Sequence, residues 1–245
     1  MKKSINQTVI LIPAYDPDRR FPRFLEQLTE RGFSEIIVVN DGSREDTARY
    51  FSQAEAMGCH VVTHACNRGY GAATKTGLEW FRRNFLSGEK RPIGVITCDC
   101  DGQHDVTDIL TCEEMLRDNP DVLVWGLRDF SRRDIPWKSA IGNRATTAVF
   151  RRLIGLDLPD TQSGLRGIPT SRIDDLITAP GDGFEFTTSL LLEARRNRVP
   201  LVTFPVQTIY LDENRSTHFR PVRDSVRVYA TIGKYLLKRG RRLGG

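Results

Sequence analysis

The apolar positions of this chain follow two rhythms in turn. Thr8 to Pro13 (TVILIP) is a short β-branched run ended by proline, the pattern of a buried strand. From Phe21 to Arg31 the spacing becomes helical through Phe21, Phe24, Leu25 and Leu28, and Gly32 closes the segment as a C-terminal cap. Glu35 to Val39 predicts a second strand. It runs into Asn40-Asp41-Gly42-Ser43, where Ser43 is placed to cap a helix through about Ala56. His60 to His64 is a third strand, Ala72 to Asn84 a third helix and Ile93 to Cys98 a fourth strand. Val106 to Arg117 reads as helix, with Asp105 as N-cap and Asp108 in a capping-box-like pair, and Val122 to Trp125 as a fifth strand. The second half is less regular: a helix from about Lys138 to Arg152, a turn-rich Leu158 to Gly164, a helix from Phe186 to Arg198 and a strand from Leu201 to Ile209. Strands joined by helices in this order imply right-handed crossovers and an α/β fold whose central sheet is mostly parallel and flanked by helices. Ligands of such sheets bind beyond the carboxyl ends of the strands.

Those loops exclude two phosphate-binding designs. The loop after the first strand is Pro13-Ala14-Tyr15-Asp16-Pro17-Asp18 rather than GxGxxG, and no GxxxxGK[ST] occurs anywhere. The loop after the fourth strand, Asp99-Cys100-Asp101-Gly102-Gln103, is richer. Side chains two apart on an extended chain share a side, so Asp99 and Asp101 aim at one point, Gln103 adds a third oxygen and Cys100 turns away. Such oxygens suit Mg²⁺ or Mn²⁺. Read alone, the same residues are equally a polar turn that ends a strand.

Five cysteines without paired spacing fit neither a disulfide framework nor a zinc site and point to a reducing, cytoplasmic setting. The formal charge of +5 is unevenly placed. From Phe219 onward eight Lys/Arg face one Asp, so that segment carries +7 and residues 1–218 carry −2. A nucleic-acid-binding body is therefore not expected. Nothing in the sequence speaks to oligomeric state.

Six motifs in fixed order give the clearest signal. They are Pro13-Ala-Tyr15, Asn40-Asp41-Gly42-Ser43, Asn67-Arg68-Gly69-Tyr70-Gly71-Ala72, Asp99-Cys-Asp101-Gly-Gln103-His104, Gly126-Leu-Arg128 and Asp160-Thr-Gln-Ser163-Gly164-Leu-Arg166. In that order the chain resembles family 2 glycosyltransferases, most closely the dolichol-phosphate mannose synthase and polyprenyl-phosphate glycosyltransferase branch, over about residues 8–218. The resemblance implies a GT-A fold, a nucleotide-diphosphate sugar donor, a divalent metal and inversion at the anomeric carbon. It places Pro13, Tyr15 and Asp41 around the nucleotide base, and Asp99, Asp101 and Gln103 at the metal and diphosphate. It places Arg128 near the transferred sugar or the acceptor phosphate. Asn67 and Gly69 belong to the donor loops, and Arg215 and His218 to a diphosphate-gripping loop. The branch usually carries Asn-Glu where this chain has Asp16-Pro17-Asp18, so Asp18 stands in the glutamate's place. Ser163-Gly164 is expected to bring the backbone close to the sugar.

Glu185, between Phe184 and Phe186 at a helix start, has two readings: a general base with a raised pKa, or a first-turn acid favoured by the helix dipole. A sugar hydroxyl needs such a base, whereas a lipid phosphate is already an anion. The expected acceptor is a polyprenyl phosphate; the alternatives are a saccharide hydroxyl of a cell-envelope glycan, or a catalytically silent sugar-nucleotide-binding protein. Residues 1–218 are expected to form the catalytic domain and 219–245 a basic amphipathic helix. That helix either packs on the domain or lies on an anionic membrane at the inner face of the cell membrane.

Overall fold

Every residue of the first strand, β1 (Thr8–Ala14), is buried, which requires cover on both faces and a neighbour along both edges. The computed structural model, which describes residues 7–88, 91–130, 137–207 and 221–243, supplies both. β1 pairs in parallel with β2 (Ile36–Asn40) on one side and β4 (Gly94–Thr97) on the other, and β2 pairs in parallel with β3 (His60–Thr63). The seven-stranded sheet runs β3-β2-β1-β4-β6-β5-β7, where β5 is Leu123–Arg128, β6 Arg166–Pro169 and β7 Leu201–Val206. β6 lies antiparallel to both β4 and β5, and the remaining pairs are parallel.

Strand alternation divides the core. Val9 and Leu11 face one apolar cluster and Ile10 and Ile12 the other, as successive side chains on a strand must. The first cluster is covered by helices α3 (Tyr70–Phe85), α7 (Glu185–Arg196) and α8 (Pro221–Leu243), through residues such as Phe81, Phe186, Leu190, Val228 and Ile232. The second is covered by α1 (Arg20–Glu30), α2 (Ala48–Ala56) and α4 (Val106–Asp118), through Phe21, Leu25, Phe51 and Leu116. Helix α5 (Trp137–Val149), which continues into one wider turn at Phe150–Ile154, and the short α6 (Ile173–Leu176) complete the layers.

Element boundaries follow the expected residues to within a few positions, with three differences. The strand β6 was not foreseen. Ser43 does not cap a helix: its hydroxyl accepts from the Asp16 backbone N–H, and a 3₁₀ turn at Glu45–Thr47 leads into α2. Asp108 accepts from the Gln207 N–H rather than closing a capping box. Asp105 does cap α4, accepting from the Thr107 N–H at 2.7 Å. Asp105→Ala is expected to cost about 1 kcal/mol and lower Tm by roughly 2–4 °C with activity retained, checked by calorimetry beside a turnover assay.

Candidate functional site

The loops at the carboxyl ends of β1, β2, β3 and β4 open onto one cavity of about 1150 Å³. Its first wall is Pro13 to Asp18. Asp16 takes a left-handed backbone (φ 47°), held by its N–H to the Ser43 hydroxyl and by its carboxylate on Arg44. Burial works to raise the Asp18 carboxyl, but hydrogen bonds from Arg20 and its charge outweigh this and hold it below the usual carboxylate value.

Asp41, after β2, is 2 % exposed and organises the next wall. One carboxylate oxygen lies 2.7 Å from His64 Nδ1 and accepts from the Arg68 N–H; the other accepts from the Gly69 N–H at 2.7 Å. His64 Nε2 reaches the Thr76 hydroxyl at 2.9 Å. Asp41 therefore fixes the Asn67–Gly69 loop from beneath while remaining part of the cavity lining. Gly69, with φ 102°, starts α3; a Cβ there would come within 2.4 Å of the Asp182 carbonyl oxygen. Lys75 on α3 pairs with Asp182, a lining residue, at 2.6 Å and so ties α3 to the Gly181–Glu185 segment.

Asp99 and Asp101 both line the cavity. They lie just past the end of β4, Asp99 in the unassigned stretch that follows the strand and Asp101 in the turn that begins at Cys100. Cys100 touches the cavity, but its thiol packs on the second apolar cluster beside the Tyr15 N–H, and burial pushes it far above the usual thiol value. Burial of that kind makes a thiol a poor nucleophile and a poor metal ligand. Burial opposes the Asp99 charge, yet the hydrogen bond and charge of His104, then Arg166 and Arg128, outweigh it and hold Asp99 low. His104 Nε2 stands 3.2 Å from Asp99 Oδ2. For Asp101 burial and then the negative charge of Asp99 prevail, and its carboxyl is raised.

The far wall comes from Gly181 to Glu185 and from Arg223, Asp224 and Arg227 of α8. Glu185 is 9 % exposed; Oε1 accepts from the Gly183 N–H at 3.1 Å, and Oε2 has no hydrogen-bond partner among the described residues. A Cβ built on Gly183 would meet Glu185 Oε2 at 2.6 Å and Arg227 Nη1 at 3.1 Å, so acid and guanidinium crowd one point above that glycine.

The description Glycosyl transferase family 2 matches residues 9–171, about two thirds of the chain, including every loop from β1 to β4. The chain belongs to glycosyl transferase family 2. Among its relatives is the UDP-N-acetylglucosamine–dolichyl-phosphate N-acetylglucosaminyltransferase of Methanococcus voltae, 25 % identical over 221 residues, or 83 % of this chain and 86 % of that one. Another is the polyprenol monophosphomannose synthase of Mycolicibacterium smegmatis, 23 % identical over 208 residues, or 82 % and 76 % of the two chains. In fold the transferase matches glucosyl-3-phosphoglycerate synthase of Mycobacterium tuberculosis, solved with Mn²⁺, UDP and glucosyl-3-phosphoglycerate. That match has a TM-score of 0.66 at 17 % identity and spans 94 % of this chain and 80 % of that one. The GT-A fold expected from the motifs is the fold observed.

Of the residues singled out in sequence, the transferase gathers Pro13, Tyr15, Asp18, Asp41, Asn67, Gly69, Asp99, Asp101 and Glu185 around the cavity. Four stand behind it. Gln103 gives its backbone N–H to Asp101 Oδ1. Arg128 meets the buried Asp160 in a two-pronged pair, with Nε at 2.7 Å and Nη2 at 3.0 Å, and acts on Asp99 through its charge. Ser163 is fully buried, and its carbonyl accepts from Arg166 Nε. Gly164 packs its backbone on the Asp99 carboxylate, so the close approach expected there is made to Asp99. Arg215 and His218 lie outside the described residues. His64, His104, Asp160 and Arg166 were not singled out. Three of them carried a signal by position, His104 at the end of the Asp99–His104 motif and Asp160 and Arg166 at the two ends of the Asp160–Arg166 motif; His64 carried none.

Proposed function

We propose that this family 2 transferase moves a sugar from a nucleotide-diphosphate donor to a polyprenyl phosphate, inverting the anomeric carbon, with Mg²⁺ or Mn²⁺ held by Asp99 and Asp101. The observation that carries the reading is the convergence of Asp99 and Asp101 on a cavity whose near wall is the Pro13–Asp18, Asp41 and Asn67–Gly69 loops. The names of the two relatives, both transferases to a lipid phosphate, support the acceptor class.

The residues fit a hard divalent cation. Two carboxylates that repel one another face one open space, and no cluster of three His, Cys, Asp or Glu ligands occurs among the described residues. An ion there would keep positions for waters and donor oxygens, with Gln103 beside the pair, the habit of Mg²⁺ and Mn²⁺ rather than of zinc. When bound, the cation neutralises charge on the leaving diphosphate. The chain's own part is to hold Asp99 ionised and in place through His104, Arg166 and Gly164, and to shape the donor loops through Asp41. Asp18 flanks the base end, Ser163 supports the Asp99 wall, and Arg215 and His218 extend the grip on the diphosphate.

Glu185 separates this reading from transfer to a hydroxyl, which its unpartnered, buried Oε2 favours. A phosphate acceptor brings its own negative charge, so Glu185→Gln is expected to stay within about threefold of wild-type turnover. A loss of about 10²–10⁴-fold, the usual share of a general base, would instead establish the hydroxyl acceptor. The decisive assay screens sugar nucleotides with Mg²⁺ or Mn²⁺ against undecaprenyl phosphate, and reads product configuration by NMR. Release of nucleotide diphosphate with a glycosyl phosphate of opposite anomeric configuration is the expected result; no transfer to the lipid phosphate with any donor overturns it.

A further inference from the structure

Helix α8 has three distinct surfaces. Its inner side packs on the domain, with Val228 and Ile232 buried in the first apolar cluster and Asp224 6 % exposed. Its outer side does the opposite: Val226 is 63 %, Tyr229 41 % and Leu237 72 % exposed. Among the described residues only Leu153 joins them as an exposed large hydrophobic side chain. At 3.6 residues per turn the three fall within about 80° of one another, with Val226 and Leu237 roughly opposite Val228 and Tyr229 about 100° round from it. Along one flank of this stripe stand the exposed Arg223, Arg227 and Lys234, and the sequence adds Lys238, Arg239, Arg241 and Arg242 beyond them.

An apolar stripe in water loses free energy unless something covers it, and the basic flank states what kind of cover fits. Apolar side chains edged by Lys and Arg suit the headgroup layer of an anionic bilayer, with the stripe among acyl chains and the cations at lipid phosphates. A second copy is a poorer match, because a symmetric contact would set basic flank against basic flank. No described helix is long and apolar enough to cross a membrane, so the contact would be peripheral. The flank is also continuous with the site, since Arg223 and Arg227 line the cavity.

We propose that α8 seats the protein on an anionic lipid surface through Val226, Tyr229 and Leu237, flanked by Arg223, Arg227 and Lys234, and so sets the cavity mouth against that surface. The seating stands on its own; its use, presenting the cavity to a lipid-linked acceptor, rests on the function proposed above. A polyprenyl phosphate keeps its chain in the bilayer and its phosphate at the surface. A cavity opening beside the basic flank would then meet the phosphate without extracting the chain.

The test uses the full chain, with no donor, metal or acceptor, sedimented with vesicles of phosphatidylcholine alone or mixed with phosphatidylglycerol. Wild type is expected to pellet with the mixed vesicles and not with the neutral ones, and to be released as salt shortens the screening length. The triple variant V226S/Y229S/L237S is expected to bind at least tenfold more weakly, and Lys234→Gln about fivefold more weakly. Both should keep the wild-type melting temperature and turnover on a water-soluble, short-chain prenyl phosphate. Equal partition of wild type and triple variant, or no preference for anionic vesicles, overturns the seating. So does a concentration-dependent dimer that the triple variant abolishes. Vesicle binding with no sugar transfer would keep the seating and sink only the acceptor reading.

Discussion

Asp101→Ala is expected to lower kcat for sugar transfer by about a hundredfold to a thousandfold while leaving the fold intact, the loss that follows removal of one group aimed at developing charge. The two carboxylates of the loop after β4 are not in equivalent settings. Asp99 is anchored by His104 and sits against Gly164, with Arg166 and Arg128 close enough to favour its charge. Asp101 has the Gln103 N–H, and the charge of Asp99 works against it. Two like charges held together in a cavity are retained where a positive charge completes the set. Removing Asp101 relieves that repulsion, so its melting temperature should not fall; only the chemistry should. Chelation of wild type should give a loss of the same size that Mn²⁺ restores, and Mn²⁺ should restore nothing in Asp101→Ala. Full turnover by the variant would remove the cation from the proposed chemistry.

The wall of the cavity built from the loops after β1, β2 and β4 was legible because each loop is short and follows a strand with a strong apolar signature. β1, β2 and β4 are buried on both faces and read as continuous apolar runs, so their ends, and hence Tyr15, Asp41 and Asp99, could be located to within a residue or two. β6 could not. Its four residues, Arg166-Gly-Ile-Pro169, hold one β-branched side chain, and they are extended because β4 and β5 present unpaired edges on either side. Long-range partners were hidden for the same reason. Nothing near Arg128 in sequence announces Asp160, and nothing near His64 announces that its ring would meet Asp41. Asp99 and Asp101 were expected on one side of the chain, and both line the cavity, the second from the turn that begins at Cys100.

The family match ends at residue 171, while Glu185, Arg223 and Arg227 lie beyond it. One cavity is thus made of a wall inside the family match and a wall beyond it, built from the start of α7 and the side of α8. The tail that composition sets apart as a basic appendage contributes directly to the site, through the same turns that expose Val226 and Tyr229. On the function proposed above, the two walls would serve donor and acceptor separately, and substitutions on them should separate in KM for the two substrates.

The second large effect is expected from a residue with no functional group. In Gly164→Ala the new Cβ would fall 2.2 Å from Asp99 Oδ2 and 2.6 Å from its Cγ, distances no pair of such atoms can keep. The backbone at 164 cannot retreat, because the residue is buried and its carbonyl accepts from the Thr97 hydroxyl at 2.9 Å. The Asp99 side chain must therefore move, and His104 is the contact it would give up. Movement of one side chain is a modest burden on the fold, about 1–3 kcal/mol by the usual scale of overpacking, or a few degrees in Tm. For the chemistry it is severe: a shift of about 1 Å in a positioning group costs on the order of a hundredfold. Gly164→Ala should thus separate the two measurements, with a folded protein by circular dichroism, a small drop in Tm and kcat lowered by about two orders of magnitude. Wild-type turnover in this variant would mean that Asp99 need not occupy the place the structure gives it, and the assignment of Asp99 as a ligand would fall with it.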